Sequence, residues 1–173
     1  AAYANLYEHV GGDHYGRYPF ELLQNAHDAC IGQADRDGKA WFAWTETALL
    51  VADSGKGIDE AAAKALCTPG HSDKRTTEDE MKSIGRKGIG FVAAYELTDT
   101  PQFFNLHGTH FGFDLADARE RDLPPGYLPT DLRLQDAGDD NSLCKGLFKE
   151  GARTIVRLPF KEGQGREESR ALF

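Results

Sequence analysis

"KAWFAWTETALLVADSGKGID" (Lys39–Asp59) contains two short runs rich in aromatic and β-branched residues, "KAWFAWTET" and "ALLVAD", with space for only a short turn between them. Such runs read as consecutive β-strands, and a short turn joins strands that lie antiparallel. Trp41 and Trp44 do not alternate to the same strand face, so at least one belongs to the core or sheet surface and the pair is no stacking platform. The second strand ends in Asp53 and runs straight into Gly55 and Gly57.

Working outward, the pattern upstream is helical. A short helix is predicted before Gly11–Gly12, and a longer one from about Tyr18 to Ala34 containing "ELLQNAHDAC". Successive helical residues are rotated by about 100°, so Leu22, Ala26, Ala29 and Cys30 gather on one side. Glu21, Asn25 and Asp28, spaced i, i+4, i+7, gather on another with no Lys or Arg among them. Downstream, Asp59 caps a helix through "EAAAKAL". About twenty polar residues with glycines at both ends follow, "CTPGHSDKRTTEDEMKSIGRKG", a length that suits a functional lid. "IGFVAAYEL" is a further helix, "PQFFNLHG" and "THFGFDL" are strands, and a Pro-, Gly- and Asp-rich excursion from Leu123 to Asn141 leads to a last strand, "ARTIVRLPF". The expected fold is an α/β two-layer sandwich, with a mixed, mostly antiparallel sheet under helices.

At 173 residues the chain is long enough for one domain with a real core. Hydrophobic content of 40% and charged content of 28% are ordinary for a globular protein. No apolar run reaches the roughly 20 residues that span a bilayer, so no membrane association is expected. The net charge of −8 gives no reason to expect nucleic-acid binding. Three cysteines, Cys30, Cys67 and Cys144, stand at unrelated spacings, which predicts reduced thiols in a cytoplasmic protein. The chain opens without methionine and stops in a charged tail, and is read as a domain of a larger protein. His107 and His110 in "HGTH", and Cys67 four residues before His71, lack the second ligand pair of a zinc site and are read as turn and lid residues. The acidic run "DAGDD" (136–140) is read as a solvated loop.

Three stretches carry chemistry. A strand-end Asp beside glycines suits a flat heterocycle, since the carboxylate accepts from an exocyclic amine while missing side chains admit the ring. Taken alone, "DSGKG" is better read as a turn. "SIGRKGIGF" sets Gly85, Gly88 and Gly90 before a helix, where backbone N–H groups and the helix dipole favour phosphate. Lys74, Lys82, Arg86 and Lys87 concentrate positive charge around it. It is neither a dinucleotide fingerprint nor a P-loop, because the preceding strand and the GK[ST] ending are missing. The helical row supplies a carboxylate and, one turn on, a neutral amide oxygen. Mg²⁺ takes few protein ligands when nucleotide phosphates supply others, and a carboxylate beside it can activate a water. The counter-charge missing from the row is then the metal.

In this order and spacing the motifs resemble those of the GHKL-type ATPases, the superfamily of DNA gyrase B, the MutL repair proteins, the ninety-kilodalton heat-shock chaperones and the histidine kinases. "ELLQNAHDA" resembles the N box, "DSGKG" the adenine-reading box and "GRKGIGF" the second glycine box. "ELLQNA", "IGRKGIGFVAAYELTD" and "RTIVRLPF" look closest to the chaperone-like ATPase regions of sacsin and related large proteins. The resemblance implies Glu21 as general base, Asn25 as Mg²⁺ ligand and Asp28 in the nucleotide pocket. It implies Asp53 as the adenine-reading carboxylate with Gly57 and Ile58 beside the base, and Gly85, Gly88, Ile89, Gly90 and Phe91 as the phosphate loop. Ser72 and Lys74 resemble the lid element, and Thr154 the threonine that helps fix the adenine-binding Asp. Arg153 replaces the usual glycine before that threonine, and Gly151–Ala152 offers a rival register. Histidine kinases have another residue at the Glu21 position, so hydrolysis is favoured over phosphotransfer.

The implied organisation is an ATP-binding domain over residues 1–160, with a lid at about 67–87, and a tail or linker over 161–173. The implied activity is Mg²⁺-dependent binding and slow hydrolysis of ATP. ATP and ADP, further domains of the same protein and a nucleotide-dependent dimer are the expected partners. A nucleotide sensor without turnover, a histidine-kinase-type domain and a pure interaction domain are the alternatives.

Overall fold

The computed structural model describes residues 18–31, 37–59, 63, 94–123 and 126–171. Helix α1 (Tyr18–Cys30) carries Pro19 in its first turn, where a missing N–H leaves no hydrogen bond unmade. Its buried positions Tyr18, Leu22 and Ala26 recur at helical spacing. The helix closes at Cys30, with Ile31 N–H donating to the His27 carbonyl at 3.1 Å. Residues 32–36, into which the helix was expected to continue, lie outside the described set, as does the expected helix before Gly11–Gly12.

Strands β1 (Ala40–Trp44) and β2 (Ala48–Asp53) form the hairpin expected from the sequence. Thr45 closes it: its N–H donates to the Ala48 carbonyl at 2.9 Å, and its Oγ1 accepts from Ala48 N–H at 3.0 Å. Beyond the undescribed stretch come β3 (Gln102–Asn105), β4 (Phe111–Gly112), helix α2 (Leu115–Glu120) and β5 (Thr130–Asp131). A 3-10 segment (Leu134–Asp140), helix α3 (Asn141–Lys149), strand β6 (Thr154–Pro159) and helix α4 (Arg166–Arg170) complete the chain. The six strands form one sheet in the order β1-β2-β6-β3-β4-β5, and every described pairing is antiparallel. The last strand in sequence thus lies at the sheet's centre. The molecule is an α/β two-layer sandwich, an antiparallel sheet carrying helices.

Side-chain alternation divides the sheet cleanly. Leu49 and Val51 of β2 and Leu158 of β6 face α1, packing with Tyr18, Leu22, Ala94 and Leu97. The same face continues into an aromatic cluster of Phe103, Phe111 and Phe113, with Ile58 and Ala63 against it. Phe103 and Phe111 stack at 4.8 Å between centroids. Trp41 packs with the opposite face and Trp44 with the α1 face, as the alternation required.

The opposite face has its own cover. Leu50, Ala52, Phe104 and Ile155 pack under Ala137, Cys144, Leu147 and Ala152. That cover is built by the end of the stretch read from sequence as an excursion (Leu123 to Asn141) and by residues 142–151, to which the sequence reading gave no element. Helix α3 buries Cys144 and Leu147 with Leu143 and Phe148 packed beside them, a helical i, i+1, i+4, i+5 spacing that the sequence reading passed over. The solvated-loop reading of 136–140 fails at Asp140, which is 4% exposed. Its Oδ2 accepts from Arg157 Nε at 2.8 Å. Arg157 also donates to Gln102 Oε1 at 3.0 Å and Thr47 Oγ1 at 3.1 Å, so its guanidinium is saturated on three sides. The reason for the misreading is a partner seventeen residues away that the local acidic run could not reveal. Asp136 and Asp139 remain exposed.

Among the described residues no helix is long and apolar enough to cross a membrane. Cys30 and Cys144 are free thiols.

Candidate functional site

The site starts from the register of three strands. Asp53 at the end of β2 lies opposite Thr154 of β6, and Thr154 lies opposite Asn105 at the end of β3. Alternation turns all three toward the α1 face, where they make a polar row at one end of an otherwise apolar layer. All are buried, at 7%, 3% and 5% exposure respectively. Buried polar groups in native proteins are hydrogen-bonded, and the row follows that rule unevenly.

Asn105 is the best satisfied. Its Nδ2 donates to the Thr109 carbonyl at 2.7 Å, and its Oδ1 accepts from Ile58 N–H at 3.2 Å. Thr154 Oγ1 lies at the long distance of 3.5 Å from the same Oδ1. Because Ile58 N–H is only a donor and the Thr109 carbonyl only an acceptor, the amide can face one way only. Its own backbone N–H donates to His110 Nδ1 at 3.2 Å. His110 therefore accepts at Nδ1, and burial holds its pKa below the usual value.

Asp53 is the least satisfied. Among the described residues its carboxylate accepts one hydrogen bond, from Gly55 N–H to Oδ1 at 2.8 Å. Burial pushes its pKa from 3.8 up to about 6, against the opposing pull of that Gly55 N–H. A buried, acceptor-only group with spare capacity is suited to a ligand that donates.

The turn after Asp53 is gripped from two sides. Lys56 N–H donates to the Ala29 carbonyl of α1 at 3.0 Å. A Cβ on Gly55 would come within 2.4 Å of that carbonyl oxygen. The missing side chain at 55 thus lets the helix approach, where the sequence reading had it admitting a ring. Gly57 has open space around it, but its φ of +80° is one that side chains rarely adopt. Ile58 N–H then anchors the far side of the turn on Asn105.

This contact fixes α1 over the row. Glu21, Asn25 and Asp28 occupy a strip roughly 90° around the helix from its sheet-facing side. Glu21 and Asp28 are half-buried and Asn25 is exposed. Among the described residues neither Glu21 nor Asn25 makes an ion pair or hydrogen bond; Asp28 Oδ1 lies 3.5 Å from His27 Nδ1. The strip therefore holds an accessible amide oxygen one turn from an uncommitted carboxylate. Such hard, neutral-plus-anionic oxygen chemistry fits Mg²⁺, a cation that keeps most of its water.

Of the residues singled out in the sequence, the structure gathers Asp53, Thr154, Gly57 and Ile58 at one end of the α1 face, with α1 above them. Thr154 is the residue opposite Asp53, and Arg153 N–H continues the ladder to the Asp53 carbonyl at 2.7 Å. The Gly151–Ala152 alternative lies outside that strand, Gly151 at a φ of +108°. Ser72, Lys74, Gly85, Gly88, Ile89, Gly90 and Phe91, and with them the lid at 67–87, lie outside the described residues. Sequence reasoning missed Asn105, because a polar residue at a strand end reads as a hairpin residue until the register puts it beside Thr154.

No family model matches the chain. The chain is similar to the Protein NO VEIN of Arabidopsis thaliana, 30% identical over 146 residues that cover 82% of this chain. It spans 5% of that protein's length.

Proposed function

We propose that this chain binds Mg·ATP on the α1 face of its sheet and hydrolyses it slowly, as the ATPase module of a larger cytoplasmic, chaperone-like or switch protein. The observation that carries the reading is Asp53, a buried strand-end carboxylate with one hydrogen bond among the described residues and a raised pKa. In this reading it accepts from the exocyclic amine of adenine, with Gly57 and Ile58 alongside the base and Thr154 beside the carboxylate. Asn25 holds Mg²⁺ through its amide oxygen, and the metal supplies charge neutralisation for the phosphates when bound. Glu21, without a cationic partner among the described residues, orients and deprotonates the attacking water. Asp28 lines the pocket from the next turn of the helix. The glycines of "GRKGIGF", with Ser72 and Lys74, are assigned to the phosphates by their sequence resemblance alone.

Similarity to a 5% portion of a far longer protein supports the module reading. Nucleotide-dependent pairing of two copies, and contacts from further domains, belong to the same proposal. The test pairs binding with turnover. Calorimetry with ADP and Mg²⁺ should show binding to the parent chain, and Glu21→Ala should retain it while losing phosphate release. If Glu21→Ala hydrolyses ATP at the parent rate, Glu21 is not the base. A parent that binds ATP and releases no phosphate would leave a nucleotide sensor.

A further inference from the structure

We propose that Asn105 is a positioning residue for the base-binding side of the pocket, setting the backbone of Gly57 and Ile58 through the hydrogen bond from Ile58 N–H to its Oδ1. The proposal rests on the nucleotide reading above and extends it to a residue on a different strand from any already assigned.

The geometry is that of a turn held at two points. Its near end is tied to α1, by Lys56 N–H to the Ala29 carbonyl at 3.0 Å. Its far end is tied to β3, by Ile58 N–H to Asn105 Oδ1 at 3.2 Å. Between the anchors stands only Gly57, which has no side chain to hold it and sits at a φ of +80°. A glycine has the widest backbone freedom of any residue, so the conformation of this segment depends on its anchors. Asn105 is itself immobilised: the Thr109 carbonyl takes its Nδ2, His110 takes its backbone N–H, and 5% exposure leaves it no water to exchange for these partners. The two ends of the side chain thus do different things. The oxygen holds the pocket turn, and the amide nitrogen holds the β3–β4 hairpin.

That division gives a test in which binding and stability move in opposite order. Asn105→Asp keeps the acceptor for Ile58 N–H but sets a buried carboxylate oxygen against the Thr109 carbonyl. Asn105→Ala removes both bonds and introduces no charge. Calorimetry with Mg·ADP should show Asn105→Ala weakened by about tenfold and Asn105→Asp within about threefold of the parent. Thermal unfolding should rank Asn105→Asp no higher than Asn105→Ala. The preference for ADP over GDP should shrink in Asn105→Ala, which general loosening of the fold would not bring about. Affinities that follow the melting order, or ADP affinity and base preference unchanged in Asn105→Ala, would overturn the proposal. A measurement needing no variant stands beside these: the Ile58 amide of the nucleotide-free parent should be protected from hydrogen exchange, and exchange at the unprotected rate would also overturn it. A parent that binds no adenine nucleotide would remove the nucleotide reading itself, whereas a binding parent with an indifferent Asn105→Ala would remove this inference alone.

Discussion

Asp53 is held where its charge is disfavoured, and two opposite consequences follow. Its folded pKa of about 6 lies above the ordinary 3.8, so between those values the folded chain keeps a proton that the unfolded chain has released. Stability from this group is therefore fully present below pH 3.8 and is lost as pH rises to about 6. The loss amounts to at most ~3 kcal/mol. Asp53→Asn should accordingly raise the melting temperature of the nucleotide-free protein at pH 7, corresponding to about 1–2 kcal/mol, and flatten its dependence on pH across that window. A melting temperature that drops, or a pH profile identical to the parent's, would show that the carboxylate is not the strained group. Nucleotide affinity should run the other way with pH. The amine of adenine needs the ionised acceptor, so ADP binding should weaken as pH falls below about 6. Titrations from pH 5 to 8 would show this, and a flat profile would count against adenine at Asp53. A residue kept at a cost to the fold is what a binding role leads one to expect.

At the scale of elements, α1 and the 54–58 turn stand or fall together. Gly55→Ala would push a methyl into the Ala29 carbonyl, where 2.4 Å of separation leaves no space. A Cβ is fixed by its own backbone and meets backbone atoms of Ala29, so the clash cannot be relieved by a side-chain rotation. Overpacking of this kind costs about 1–3 kcal/mol, and displacement of α1 should weaken ADP binding in the protein that still folds. Gly57→Ala has space and strains only φ, so it should be the milder of the two in chemical denaturation. The second-face cover behaves differently. Asp140→Ala strands Arg157 in a buried site, which costs about 3–5 kcal/mol. Arg157 projects from the face opposite Asp53, so ADP affinity measured well below the melting temperature should be unchanged. A large affinity change would mean that the two faces are coupled.

These elements also show what the sequence could and could not disclose. The β1–β2 hairpin and α1 were legible because their signals are local: strand-forming runs with a tight turn, and apolar residues at helical spacing. The end of β2 at Asp53 was legible because glycines follow it. The cover of the second face was not: an acidic run around Gly138 hides its 3-10 segment, while the helical spacing of Leu143, Cys144, Leu147 and Phe148 in α3 stood in the sequence and went unread. The ion pair of Asp140 with Arg157 and the bond of Asn105 to Ile58 join residues 17 and 47 positions apart. Such pairings are set by strand order, and nothing in the chain announces that its last strand inserts between β2 and β3.

For the molecule as a whole, the account comes down to one sheet face with two different ends. Around Leu49, Val51 and Leu158 it is apolar and serves to hold α1. At Asp53, Thr154 and Asn105 it turns polar, and α1 reaches that end at Ala29, whose carbonyl accepts from Lys56 N–H. On the opposite face, sealed by the 3-10 segment and α3, the buried polar groups Arg157 and Asp140 are paired with each other. The central claim, an adenine nucleotide read by Asp53, is tested most directly by calorimetric titration of ADP with Mg²⁺ into the parent chain and into Asp53→Asn at pH 7.5, with folding of both verified by thermal unfolding. The account expects binding by the parent and a loss in Asp53→Asn of roughly 30- to 150-fold, the equivalent of ~2–3 kcal/mol for removing a charged partner. Equal affinity in the two proteins, or no binding by a folded parent, would contradict it.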